Sequence, residues 1–490
     1  MSVAWAVAMA CAASGGAMLT VAVPVVVAVS AVVVAVAVGS RALVVGCIFV
    51  LAGSLSHDAW AAIDAPFPEE LDGSGSVVRD PQRMNGSVRA EVSFDGRRYQ
   101  VWASSGEGED LLQCASGDEV QLSGRTSDLS GLATPSLRRR HVVARVEATS
   151  VQCVGNESVL NATANNVRAV VEKGSWSLPE NVRPLYLGLA LGDDREQSED
   201  QREAFRDSGL AHLLAVSGQN VAFLLLLLQP LVRRFDLTGR VCISLGALIL
   251  FGTVTRWEPS VVRAVVMASV VLGATWMGRR ISSWRTLALA ATLCMLIDPL
   301  LVGSIGFLLS ITACIGMAAL GAPIASRVPG PKWFRTAVGF TVAAQIGVAP
   351  VQMTVFGDLP AVAVLTNVAA GPLAAGVMMW AMTGGIAAGL LGDPAAGLLH
   401  WPTAQLLDAL NWVAYEGANA PIGNWSVTAV CFLGAVLMLL PRRHGSDAEP
   451  SKVGLGSGIE PGRLLDKGRR PDVGRPAAQL ARRNSFGSGR

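Results

Sequence analysis

The chain has 490 residues, 51% of them hydrophobic and only 16% charged, with a mean hydropathy of +0.45. Ordinary soluble domains carry about 25% charged residues, so a single water-soluble domain and a disordered chain are both excluded. The net charge of +2 gives no overall reason to expect a nucleic-acid partner; local clusters have to supply one. The apolar residues fall in blocks, which predicts a multi-span membrane protein with one soluble module.

Residues 1–56 form the first apolar block, with Arg41 its only basic residue. The run from Met1 to Val38 is about twice the ~20 residues that cross a bilayer. It predicts two spans, broken near Gly15-Gly16 or Pro24, and a third apolar stretch follows at Ala42–Leu55. No positive charge precedes the block, which argues against a signal peptide.

Residues 57–180 regain charge, Gly and Ser, and their apolar pattern has period two. Val88, Ala90, Val92 and Phe94 alternate with Arg89, Glu91 and Ser93, and Asp95-Gly96 suits a two-residue hairpin turn into a strand with Tyr99 and Val101. Val120 and Leu122 mark another strand, and Val142, Ala144, Val146 and Ala148 a longer one. About five short strands predict a small all-β barrel, with an OB-like barrel one candidate. Residues 181–209 read as an amphipathic connection: Ser198 to Gln201 fits a capping box, and Gly209 can close the helix between them.

Residues 210–440 are the second membrane block, with candidate spans at 211–231, 240–255, 260–277, 285–303, 305–324 and 336–356. The stretch 361–412 is expected to hold two spans or a re-entrant hairpin, and 425–440 a last span. Residues 441–490 form a tail with 11 Arg or Lys against 5 Asp or Glu and no apolar periodicity, expected to be disordered. Basic residues at span ends stay cytoplasmic. Arg41, Arg233-Arg234, Arg279-Arg280, Arg327/Lys332/Arg335 and Arg442-Arg443 can all share that side, which puts the β module outside and the tail in the cytoplasm. Six of the eight Cys lie in apolar segments; only Cys114 and Cys153 lie in the soluble module. An outside location is oxidising, so these two are expected to form a disulfide, the alternative being two unpaired thiols.

Enzyme chemistry is not legible. His57, His141, His212, His400 and His444 have no metal-ligand spacing, and there is no P-loop and no Gly-x-Ser-x-Gly elbow. No catalytic residue, metal or cofactor is expected. Asp193-Asp194 reads as a solvated pair before a helix. The informative residues are polar ones placed at membrane depth. The stretch 208–221 puts His212, Ser217, Gln219 and Asn220 at the start of an apolar helix, with His212 and Asn220 about two turns apart on similar faces. Arg263 stands about one turn inside the span that begins at Pro259, either snorkelling outward or offering a fixed charge to a cavity. Gln345, Gln352 and Asn367 are further buried polar candidates. A helix-packing seam joined by hydrogen bonds explains the same residues.

At these positions the sequence resembles the ComEC family of competence proteins, inner-membrane channels for DNA uptake in natural transformation. Gly-Leu-Ala-His-Leu-Leu-Ala-Val-Ser-Gly at 209–218 is similar to the family signature. Leu187-Gly188 through Asp193, Glu203-Ala204-Phe205, Pro259-x-x-x-Arg263-Ala264-x-x-Met267, Asp298-Pro299, Gly306-Phe307-Leu308-Leu309-Ser310, Ala343-Ala344-Gln345 through Pro350, and Asn367 follow its order. Gln219-Asn220 replace the usual Leu-His. Many members carry a C-terminal metallo-β-lactamase-like domain; here only His444 and a short tail follow Leu440, so the resemblance implies a channel without its own nuclease.

That implication makes single-stranded DNA the expected cargo. It names His212, Ser217, Gln219, Asn220, Arg263 and Gln345 as candidates for the path. Single strands are held by basic grooves with aromatic platforms. In the outer module Arg89, Arg97 and Arg98, with Tyr99 and Trp102, are the contact candidates, joined by Arg83 and the run Arg138-Arg139-Arg140. The resemblance also implies an extracellular DNA receptor and a cytoplasmic helicase-like ATPase as partners, besides membrane lipid, and leaves an oligomer open. Two other classes stay open: a secondary transporter of a small solute, and a membrane-anchored assembly protein.

Overall fold

The computed structural model describes residues 2–420 and 424–425, apart from 85, 156, 157, 215, 217 and 358. The first block folds as α1 (Val3–Leu19), α2 (Val25–Val38) and α3 (Arg41–Asp64). Ser2 and Ser40 cap α1 and α3, each side chain accepting a backbone N–H three residues on. The break between α1 and α2 falls at Pro24, which precedes the first turn of α2; Gly15-Gly16 lie inside α1. The third helix is longer than the expected stretch and runs on to Asp64.

The soluble module is a closed barrel of β1 (Glu70–Met84), β2 (Ser87–Phe94), β3 (Arg97–Ser104), β4 (Glu119–Ser127) and β5 (Val142–Gly155), in the order β1-β2-β3-β5-β4. Only β3 and β5 run parallel. A helix, α4 (Ser105–Leu112), lies between β3 and β4, and a short turn of helix, α5 (Thr134–Arg138), precedes β5. The period-two residues fill the interior: Val88, Ala90, Val92, Phe94, Tyr99, Val101, Val120, Leu122, Ala144 and Val146 are all buried. Asp95 and Gly96 both have positive φ, as the tight β2–β3 turn requires. Cys114 and Cys153 form a disulfide. The sequence gives little sign of β1. Its Gly, Ser and Pro break the alternation, and its pairing with β2 shifts register twice between Val77 and Gln82.

After the barrel come α6 (Val159–Ser175), α7 (Arg183–Leu191) and α8 (Glu199–Asp207), then α9 (Gly218–Val232), α10 (Leu237–Val254), α11 (Pro259–Trp276), α12 (Ser283–Ile297), α13 (Ile305–Ala325), α14 (Lys332–Phe356), α15 (Ala363–Trp380), α16 (Ile386–Leu391) and α17 (Ala395–Ala418). One π-helical turn, Ala381–Gly385, joins α15 to α16, so the stretch expected to hold two spans is one continuous helical run followed by α17. Among the described residues six helical runs are long and apolar enough to cross a membrane: 41–64, 237–254, 259–276, 305–325, 332–356 and 363–391. The expected span 425–440 and Arg442-Arg443 lie outside the described residues.

The barrel stands on one end of these helices. Ile63 of α3 and Leu300, in the turn after α12, enter the barrel's own core. The α10–α11 turn meets it through Arg79 and Glu258, 2.9 Å apart. The helices that begin or end there run about 22–36 Å to their other ends. Those other ends carry Arg41, Arg233-Arg234, Arg279-Arg280 and Arg327/Lys332/Arg335, so the described basic clusters gather opposite the barrel.

Candidate functional site

The signature segment departs from its expected conformation. Helix α8 is capped by Ser198, which accepts from the Gln201 N–H, and ends at Gly209 in the left-handed region. The Leu210 N–H returns to the Phe205 carbonyl and the Gly209 N–H to Arg206, while Leu210 and Phe205 are both fully buried. The chain then makes a short 3-10 turn, Ala211–Leu213, and α9 starts only at Gly218. The expected helix from 211 is therefore interrupted. His212 and Asn220 do not share a helical face: His212 is exposed on the turn and Asn220 is buried in the first turn of α9.

Four helices hold this break. From α15, Thr366 Oγ1 donates to the Ser208 carbonyl at 2.7 Å and Asn367 Nδ2 to the Gly209 carbonyl at 3.4 Å. A Cβ on Gly209 would collide with Ala363 of α15, and one on Gly417 of α17 would crowd Ser208. From α11, Ser260 Oγ donates to the Val216 carbonyl at 2.6 Å. Asn220 Nδ2 donates back to the Leu189 carbonyl of α7 at 3.2 Å.

Arg263 does not snorkel. It is 8% exposed; its Nε donates to Ser310 Oγ of α13 at 2.5 Å, and its Nη1 lies 3.2 Å from Met267 Sδ and 3.3 Å from Cys314 Sγ. Its Nη2 faces Gly218, at 3.1 Å from where a Cβ would stand. It has no ion pair among the described residues. Three motifs far apart in sequence thus meet at one point: the end of 209–218, the Pro259–Met267 segment and the Gly306–Ser310 segment. Gln219 is exposed beside this point. Ser217 lies outside the described residues. Gln345 is half-buried on α14, with its carbonyl oxygen buried and unpartnered among the described residues.

A second polar centre was not legible in the sequence. The irregular stretch of β1 frees residues 79–82 from strict alternation, and Asp80 turns to the helices. Arg256 binds Asp80 through two nitrogens at 2.8 and 2.9 Å, and Arg168 of α6 approaches it at 3.3 Å. Arg168 is 4% exposed and also binds Asp193 and the carbonyls of Leu191 and Val254. Burial raises the Asp80 carboxyl, but Arg168 and Arg256 outweigh it and hold the pKa at about 2. Arg256 stands at the left-handed position that ends α10, where Gly is usual. Its side chain explains the choice, since it reaches Asp80 and Asn165. Asp194 is exposed as expected, whereas Asp193 is buried in this network.

The candidates in the β barrel divide. Tyr99 is 3% exposed inside the barrel, its ring packed edge-on against Phe94. Arg97 donates to the carbonyls of Ala62, Ala65 and Pro66 and closes the end of α3. Arg98 donates to the Arg140 carbonyl. The basic run is also engaged within the chain: Arg138 with Asp64 and the Trp60 ring, Arg140 with Glu91. Arg83 pairs with Glu109. Arg89 and Trp102 are neighbours across β2 and β3 on the outer face, and Arg145 lies 4.8 Å above the Trp102 ring. Arg145 belongs to this patch and was missed; it falls between inward-facing Ala144 and Val146. Among the described residues no group of three His, Cys, Asp or Glu side chains is placed to hold a metal ion.

The family described as "Competence protein" matches residues 189–444, just over half of the chain. The curated relatives include "ComE operon protein 3" of Bacillus subtilis (strain 168), 25% identical over 274 residues, which is 54% of this chain and 35% of that protein. "Competence protein ComA" of Neisseria gonorrhoeae is 28% identical over 281 residues, 53% of this chain and 38% of that protein. "Uncharacterized protein YcaI" of Escherichia coli (strain K12) is 26% identical over 217 residues, 39% of this chain and 27% of that protein. The chain thus spans well under half the length of the curated relatives it matches. No solved structure matches it. The matched segment contains the helix break, Arg263 and Ser310 together, and the chain belongs to the competence-protein family.

Proposed function

We propose that this chain forms the route by which single-stranded DNA crosses the cytoplasmic membrane in natural transformation, with the barrel outside. The observation that carries this reading is the connection between α8 and α9, where a short 3-10 turn at Ala211–Leu213 precedes α9 at Gly218. Non-helical backbone at membrane depth is tolerated only where it is buried in protein or lines a water-filled cavity. Here it lies at the barrel end of the helices, beside Arg263, with His212 and Gln219 exposed. A strand carries one charge per nucleotide, so a few weak polar contacts of this kind favour passage over trapping.

The basic clusters support this sidedness: basic span ends favour the cytoplasm, and these lie opposite the barrel, while the Cys114–Cys153 disulfide suits an oxidising exterior. The strand order of the barrel and the helix between β3 and β4 favour an OB-like fold, whose outer face here offers Arg89, Trp102 and Arg145. A DNA receptor outside and a helicase-like ATPase inside are the partners this reading requires.

The test is deletion of the gene in its host, with labelled external DNA, scoring surface-bound DNA and nuclease-protected cytoplasmic DNA separately. Normal binding with loss of protected DNA, restored by complementation, is the expected result. Undiminished entry in a competent host lacking a second such gene would reject the reading. Arg263→Ala and His212→Ala test the path itself: entry unchanged at normal protein level would remove both residues from it.

A further inference from the structure

We infer that Gln197 is a positioning residue for the connection between α8 and α9, its buried amide serving as the latch of a second arrangement of that connection. The inference rests on the proposed DNA route and adds a residue that sets the shape of its lining. Gln197 is 6% exposed, and neither its Nε2 nor its Oε1 has a hydrogen-bond partner among the described residues. A buried amide left unbonded costs stability, so its presence calls for a reason. Its backbone is held on both sides: Asp193 binds Arg168 and Arg195, and Ser198 caps α8. The amide is thus stationary, and the connection is the part that moves to it.

The connection lies close against α7. A Cβ on Gly188 would overlap Gln197 Nε2 and stand 3.2 Å from the Leu214 carbonyl oxygen. One turn on, a Cβ on Gly192 would stand 2.8 Å from the Val216 side chain. The two glycines therefore let the amide and the connection share one narrow space. The ends of the connection are held, at Gly209 by Asn367 and at Val216 by Ser260. Between them lies only the short turn Ala211–Leu213. A small movement of Leu214 brings its carbonyl onto Nε2, and a carbonyl has two lone pairs, so it accepts this bond whatever else it holds. The turn carries the exposed His212 two residues earlier, so its arrangement sets where that side chain meets a strand.

The test compares the full chain, purified in detergent, with Gln197→Met and Gln197→Leu, which fill the same space without an amide. Removing an unbonded amide should raise the unfolding temperature, by about 2–4 °C. Without the latch the connection stays in one arrangement, so hydrogen exchange of the backbone N–H groups of 210–216 should slow about three- to tenfold, with the barrel unchanged. In the host, DNA entry should fall about tenfold at normal protein level. Higher stability with lower entry is the mark of a residue kept for function at the expense of stability. A lower unfolding temperature in both variants, or failure of both to fold, would make the amide a structural group completed by a buried water, and would overturn the inference. So would unchanged exchange at 210–216, or unchanged entry where deletion of the gene abolishes it. Unfolding and exchange are read on the purified protein, so they judge the latch even if deletion leaves entry intact and rejects the route.

Discussion

Arg168 and Arg263 are both deeply buried near the barrel end of the helices, and their surroundings are opposite. Arg168 lies among two carboxylates and two backbone carbonyls, with Arg256 completing the group around Asp80. Arg263 has one hydroxyl and two sulfurs. The first arrangement is complete within the chain and fastens the barrel to the helices. The second has no carboxylate beside it among the described residues. Burial alone does not separate the two arginines; the charge of the acceptors around each does.

If that contrast is right, removing an acceptor at the joint should cost far more stability than any change at Arg263. Asp80→Asn leaves Arg168 and Arg256 without one shared carboxylate and is expected to destabilise by about 3–5 kcal/mol, read by thermal unfolding of the purified protein. The joint should also weaken in acid. The folded pKa of Asp80 lies below its unfolded value, so its contribution is full above about pH 4 and is lost as pH falls towards 2. The shift corresponds to about 2 kcal/mol, and Asp80→Asn should abolish that part of the acid transition. An unchanged acid profile in the variant would show that the joint does not depend on this carboxylate.

The disulfide sharpens the contrast from the barrel side. Cys114 precedes the loop whose Ser116 N–H donates to Asp80 at 2.8 Å, so the bond braces the joint as well as the barrel. Cys114→Ser with Cys153→Ser should cost about 2–4 kcal/mol, with the loss measured by denaturant unfolding. A smaller effect follows at the signature. Gly209→Ala places a side chain at positive φ and against Ala363, for an expected loss of about 1–3 kcal/mol. If the connection between α8 and α9 lines the proposed route, DNA entry should fall by more than the loss of folded protein explains. Entry that simply tracks protein level would make the break a packing feature.

How much of this was legible depends on whether the pattern was local. The β2–β3 hairpin was readable because alternation and Asp95-Gly96 lie within a few residues, and so were Ser198 and Gly209 as helix caps. The β1 strand was not, since its pairing is fixed by β2 and β4 while its own Gly, Ser and Pro suggest a loop. Hydropathy also passes straight through this stretch, because most of residues 210–216 are apolar whether or not the backbone is helical. Asp193 and Asp194 look alike in sequence, and only the position of Arg168, 25 residues away, makes one buried. The family motifs were visible as separate segments; that three of them meet at Arg263 is a tertiary fact.

The smallest expected effect divides two aromatic residues that the sequence placed together. Tyr99 and Trp102 stand three apart on β3, and a strand turns residues an odd number apart to opposite faces. Tyr99 therefore fills the barrel, while Trp102 lies outside, next to Arg89 across the sheet and beneath Arg145. A base can stack only on the second. Trp102→Ala should weaken binding of single-stranded DNA to the full chain by about 1–3 kcal/mol, the usual worth of one stacking platform. Tyr99→Phe keeps the ring in the core and should change that affinity by less than about 0.5 kcal/mol. Equal losses would point to a general disturbance of the barrel. No loss for Trp102→Ala would remove this face from the proposed DNA route.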